Sequence, residues 1–205
     1  MGYASAQTAP EGPEPRLCMG CMEPLESSAF CRHCGWNPST AAQSISHLAP
    51  GTVLQNSYLI GRVLGQGGFG ITYLAWDRQL RRKVAIKEYF PQAIASRQTG
   101  SVGVVPTAAK FQDDYAYGLQ SFLSEGRTLA RFAEHPCIVS VLSLFEENGT
   151  GYLVMGYLEG TTLSQSLANA GGKLPLRYGP RDSGARDGWA AGSPQPRPAA
   201  SRYQP

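Results

Sequence analysis

The sequence predicts an α+β domain of five strands and one long helix, preceded by a small cysteine-bearing module and followed by a tail that cannot fold. Three observations predict it. Residues 58–64, 71–76 and 82–90 are strand-like runs rich in β-branched and aromatic residues, the first two flanking a glycine turn. Residues 113–133 place Leu119, Phe122, Leu123, Gly126, Leu129 and Ala130 at helical spacing, with Asp113 and Asp114 suited to the first turn. The runs "IVSVLSLF" and "GYLVMGYL" then flank "EENGTG", where Asn148-Gly149 is a strong hairpin signal.

Residues 1–16 are polar and hold Pro10, Pro13 and Pro15, a composition that predicts a disordered leader. The opening Met-Gly is not a myristoylation signal, because Ala6 stands where Ser or Thr is needed. No apolar core of signal-peptide length follows, and no run approaches the roughly 18 apolar residues of a membrane span. The chain therefore reads as cytoplasmic, with no membrane partner. A net charge of +3 with scattered Lys and Arg gives no support to nucleic-acid binding.

Residues 17–36 carry the cysteine module. Cys18 and Cys21 form one C-x2-C, Cys31 and Cys34 a second, with nine residues between. Each pair can turn two thiolates toward one ion, and Gly35 permits the backbone turn that aims amides at sulfur. Four thiolates around a structural Zn²⁺ is the expected outcome, since so small a module cannot fold on apolar burial alone. Disulfides are the competing reading, disfavoured without a secretory signal. His33 lies inside the second knuckle, where a solvent-facing side chain is expected in preference to a ligand. Cys137, far from the cluster, reads as a small core residue.

Residues 37–52 are small and polar and read as a linker. The domain proper spans residues 53–176. From residue 177 the chain contains no Leu, Ile, Val, Met or Phe but five Pro, four Gly and five Arg, so residues 177–205 cannot build a core and are expected to be disordered.

The chemistry lies in the strands. Gly65, Gly67 and Gly70 form G-x-G-x-x-G, a weak signal alone. In a dinucleotide fold the glycines open a helix, whereas here Ile71–Leu74 continues as a strand. Strands on both sides make the glycines a hairpin flap able to lay backbone amides over phosphates. Val84-Ala85-Ile86-Lys87 then sets one ammonium in an apolar strand, where it needs an anionic partner such as a phosphate and a carboxylate. Glu125 on the helix supplies a candidate carboxylate.

With these residues in order, the stretch from Val53 to about Leu176 resembles the N-terminal lobe, hinge and next helix start of a protein kinase. In detail it is similar to bacterial serine/threonine kinases with an N-terminal zinc ribbon. The resemblance implies a kinase-like lobe of five antiparallel strands plus one helix. It places Gly65, Gly67, Gly68, Phe69 and Gly70 in the glycine loop, Lys87 on the α- and β-phosphates, and Glu125 as the partner of Lys87. It also implies Met155 at the gatekeeper, Gly156, Tyr157 and Leu158 at the hinge, and Leu64, Thr72, Ala85 and Leu158 around adenine. "HPCIV" matches the turn between helix and fourth strand. Thr72 stands where Val is usual, Gly156 where Glu is common, and "PQAIASRQTGSVGVVPTAAKF" lengthens the segment before the helix as an insertion.

The family reaction is ATP-dependent phosphoryl transfer to protein hydroxyls with Mg²⁺, and it needs the aspartates of H-R-D-x-x-x-x-N and D-F-G. Neither motif occurs in these residues. The expectation is thus a kinase whose catalytic loop is missing and which is inactive as a single chain, binding ATP weakly. One alternative is a non-catalytic ATP-binding or interaction module, a kinase-lobe remnant with a zinc ribbon, which would need an apolar replacement for the missing lobe. A zinc-ribbon nucleic-acid binder is another, but the knuckles have only Arg16 and Arg32 nearby, against Glu23 and Glu26. The tail offers an explanation of its own. Synonymous codons for "RPAASRYQP", read one nucleotide along, permit Gly-Leu-Leu-His-Arg-Asp-Ile-Ser, so the tail reads as a frameshifted kinase C-terminal lobe.

Overall fold

The computed structural model describes residues 16–25, 30–37, 44–97, 100–133 and 135–172. The leader before Arg16 and the tail from residue 177 lie outside the described residues. The chain divides into two units, Met1–Leu158 and Glu159–Pro205.

In the first unit a six-stranded antiparallel sheet has the order β1-β2-β3-β4-β8-β7. Its strands are β1 (Val53–Leu54), β2 (Tyr58–Gly67), β3 (Gly70–Asp77), β4 (Arg82–Tyr89), β7 (Val141–Glu147) and β8 (Thr150–Gly156). The five expected strands are present, and the two-residue β1 adds a sixth. The insertion before the helix is structured: β5 (Ala95–Arg97) and β6 (Val104–Pro106) pair as a separate two-stranded sheet. A 3₁₀ turn over Ala109–Phe111 leads into α1 (Gln112–Ala130). The β7–β8 turn has Asn148 and Gly149 both at positive φ, +56° and +74°, the type I′ geometry that the Asn-Gly pair signals.

Cross-strand register sorts the sheet into two faces. Ile71 pairs with Glu88, Tyr73 with Ile86 and Ala75 with Val84, while Ile86 pairs with Val154 and Glu88 with Tyr152. This face is fully buried, which a free sheet face would not be. Its cover comes from Leu48, in the stretch read as linker, and from Ala95 and Val104 of the β5–β6 hairpin. The described part of that stretch, residues 44–52, is therefore packed structure. Its composition concealed this, because one leucine and a few backbone groups make the attachment.

The opposite face is covered at its two ends by different elements. At the β7–β8 end lies α1, where a Cβ on Gly126 would sit 3.1 Å from Leu153. At the β2–β3 end lies the cysteine module, whose Leu17 and Met22 bury Leu74 against Leu59, Leu64, Trp76 and Tyr157. Polar contacts fix the module further. The Arg62 amide donates to Met19 O at 2.8 Å, Arg62 Nε donates to Gly20 O at 2.7 Å, and Lys83 Nζ meets Glu23 Oε1 at 2.7 Å. The β2–β3 pairing breaks register between Ile60 and Val63, beside Gly61. A Cβ on Gly61 would lie 2.3 Å from Met22 Cε and 2.5 Å from Met19 O, so the strand meets the module through a position with no side chain.

The second unit contains α2 (Leu163–Asn169), started by a capping box in which Thr162 Oγ1 accepts from Gln165 N and Gln165 Oε1 accepts from Thr162 N. Among the described residues, no helix is long and apolar enough to cross a membrane.

Candidate nucleotide-binding face and metal centre

The second face carries two cross-strand rows, one reaching under the cysteine module at Leu74 and the other under α1 at Leu153. Thr72, Lys87 and Leu153 form one, and Leu74, Ala85 and Met155 the other. Strand alternation alone puts Lys87 and Ala85 on this side and Ile86 and Glu88 on the other. Gly65 pairs with Thr72, and the β2–β3 hairpin closes at the Gly67–Gly70 pair, so the glycine segment rims the same face. Gly65, Gly67 and Gly68 have open space where a Cβ would be, and Phe69 at the tip is 79% exposed. Leu64 and Tyr157 are half-buried against the module, Met155 and Gly156 are half-buried at the end of β8, and Leu158 is exposed.

Lys87 and Glu125 are not joined. The Lys87 ammonium lies 5.7 Å from the centroid of the Phe122 ring, and Glu125 is on the exposed side of α1. Among the described residues no ion pair links them. The helix turns Phe122, Leu123 and Gly126 inward, so an aromatic face meets the ammonium where the resemblance implied a carboxylate.

A charged cluster on the far side of β4 has no counterpart in the sequence reading. Glu88 is fully buried and accepts from Arg97 at 2.6 Å and Tyr152 at 2.9 Å through Oε1, and from Tyr73 at 2.9 Å through Oε2. Tyr73 Oη accepts from the Leu48 amide, while Arg97 donates to Ser46 O and Val102 O. Burial, with the Glu88 carboxylate second, pushes the Tyr73 and Tyr152 phenols well above their ordinary range, so both remain donors. Burial works against the Arg97 charge, but Glu88 outweighs it and holds the guanidinium above its usual value. Every hydrogen-bonding group of this set has a partner, which permits a buried charge here.

The four cysteines come together. Their sulfurs lie within 4.8 Å of one another, with Cys18 to Cys34 at 3.7 Å and Cys21 to Cys31 at 3.8 Å. A tetrahedron with Zn–S bonds of about 2.3 Å places its sulfurs about 3.8 Å apart, whereas a disulfide needs about 2.0 Å. In the first knuckle an amide is aimed at sulfur, Gly20 N donating to Cys18 Sγ at 3.3 Å, whereas in the second Gly35, at φ +73°, closes a backbone turn by donating its amide to Cys31 O at 2.8 Å. Burial pushes the Cys21 thiol up to about 12, while hydrogen bonding from the Cys34 backbone draws Cys31 down to about 7. Four adjacent thiolates repel one another unless a cation lies among them, so the cluster fits Zn²⁺. His33 and Cys137 are exposed, and neither belongs to the cluster.

This curled sheet, its flap and its single packed helix have the architecture of a protein-kinase N-terminal lobe. No family model matches the chain. The proteins it matches are protein kinases, among them bacterial serine/threonine protein kinases and calcium-dependent protein kinases of Arabidopsis thaliana. Serine/threonine-protein kinase PknG of Mycolicibacterium smegmatis is 29% identical over 176 residues, 78% of this chain and 19% of that protein. PrkC of Bacillus subtilis is 35% identical over 124 residues, 59% of this chain and 16% of that protein. The solved PpkA-294 apo form superposes with a TM-score of 0.57 at 41% identity, covering 60% of this chain and 43% of that one. The chain thus spans less than a fifth of these two curated relatives.

Proposed function

We propose that this chain supplies the nucleotide-binding half of a serine/threonine protein kinase, a family that transfers the γ-phosphoryl of ATP to protein hydroxyls. The observation that carries the reading is the common face of Thr72, Ala85, Lys87 and Met155, rimmed by the Gly65–Gly70 flap. Leu64, Thr72, Ala85 and Leu158 would hold adenine, with hinge backbone at Gly156–Leu158 recognising its edge. Lys87 and the flap amides would hold phosphates. Mg²⁺ neutralises phosphate charge in such reactions, and its ligands belong to motifs these residues lack. The chain by itself therefore binds ATP weakly and transfers no phosphate.

Saturation-transfer NMR with ATP and with adenosine tests this. ATP should bind with a Kd on the order of 1 mM. Lys87→Ala should weaken ATP about tenfold and leave adenosine unchanged, the loss of one charge-assisted contact. Autophosphorylation abolished by that variant would overturn the inactivity, and equal loss of both ligands would overturn the assigned role of Lys87.

The cysteine module is a structural zinc ribbon on this reading. Elemental analysis should find one Zn²⁺ per chain, and Cys18→Ala should lose it, because three remaining thiolates leave an open, hydrolysable site. Full retention by the variant would refute the four-cysteine assignment.

A further inference from the structure

The glycine flap is tied down from outside its own hairpin. Three consecutive carbonyls at its tip are engaged by the residues that follow β4. Phe69 O accepts from Phe90 N at 3.0 Å, Gly68 O from Gln92 N at 3.1 Å, and Gly67 O from Gln92 Nε2 at 2.8 Å. The root is equally close, since a Cβ on Gly70 would lie 2.6 Å from Glu88 O. A fourth tie comes from the N-terminal side, where His47 Nε2 lies 2.8 Å from Gln66 Oε1.

These ties end on rigid ground. Phe90 is buried, with the Arg97 guanidinium 5.5 Å above its ring. Pro91 O accepts from Ile94 N and Ala95 N, which closes a turn directly after Gln92. Arg97 is in turn bonded to Glu88 and to Ser46, one residue before His47. The insertion and the residue 44–48 segment, joined to each other through the buried Arg97, thus both reach the flap.

The geometry points to Gln92 as a positioning residue that holds the phosphate-binding flap in place before nucleotide arrives, with His47 as a second strut. The inference rests on the nucleotide reading given above. A glycine hairpin is costly to order, because each residue fixed gives up conformational freedom. Here that ordering is already achieved by carbonyl contacts, which leave Gly65, Gly67 and Gly68 open to a ligand. Gln92 is exposed, so its side chain can be removed without disturbing a core.

The test compares the full chain with Gln92→Ala and with Gln92→Glu, which keeps the side chain's size but cannot donate to Gly67 O. Hydrogen exchange without ligand should show the Gly67–Gly70 amides exchanging about threefold to tenfold faster in both variants, the range expected for one lost hydrogen bond. ATP affinity should fall by a similar factor, while adenosine, which does not reach the flap, should bind unchanged. Unchanged flap exchange would overturn the inference, as would equal loss of ATP and adenosine. A wild-type chain that binds neither ligand refutes the nucleotide reading, and flap exchange then decides alone whether Gln92 holds the hairpin.

Discussion

Lys87 and Glu88 are neighbours in sequence and lie on opposite faces of one strand, and only the first could be recognised without the structure. A lysine between Ile86 and a strand end, downstream of a glycine turn, announces an anion partner. A glutamate after it reads as the solvent side of an amphipathic strand. Its burial follows from Tyr73, Arg97 and Tyr152, which lie 15, 9 and 64 positions away and carry no shared periodicity. For Glu125 the signal was its place on the helix, and α1 puts Phe122 at the lysine in its stead. The buried pair yields a prediction at this scale. Arg97→Met leaves the Glu88 carboxylate without its counter-ion and should cost about 3–5 kcal/mol, read as a lower urea midpoint at unchanged slope. Adding Glu88→Gln should recover part of that loss. A single variant within about 1 kcal/mol of wild type would show that the pair contributes little.

The strands were legible because alternation and β-branched runs mark them, and α1 because its apolar positions keep helical spacing. The β5–β6 hairpin was readable only as an insertion, since three-residue strands carry too short a pattern. The docking of the cysteine module was also hidden. The motif specifies how four sulfurs meet, whereas the surface the module covers depends on Leu17 and Met22, which look like ordinary knuckle residues. The deformed segment of β2 gives the test. Gly61→Ala introduces a methyl group against Met22 Cε and Met19 O and should destabilise the first unit by about 1–3 kcal/mol. Hydrogen exchange should locate the effect, with the Arg62 amide, bonded to Met19 O, losing protection before the β4 and β8 amides. Uniform loss across the sheet would mean that Gly61 serves the strand rather than the junction.

At the scale of the molecule, the lobe and its nucleotide face could be read in the sequence because several motifs occur in one order. The catalytic loop could not, since the 205 residues do not contain it. Reading the gene tests the origin of the last segment. One nucleotide out of frame, codons 200–203 should encode His-Arg-Asp, with Asp-Phe-Gly further downstream. Any other sequence there removes the frameshift explanation. The packed stretch at residues 44–52 bears on how such a protein can be taken apart. Composition invites a cut before Val53, between ribbon and lobe. That cut would strip Leu48 from the core, take the Ser46 carbonyl from Arg97 and remove His47 from the flap. The severed lobe would be a different object from the one in the intact chain, with its outer face open and its glycine hairpin loosened. An engineer who wants to exchange ribbons between relatives has to place the seam ahead of Ser44 and carry the strap along with the lobe.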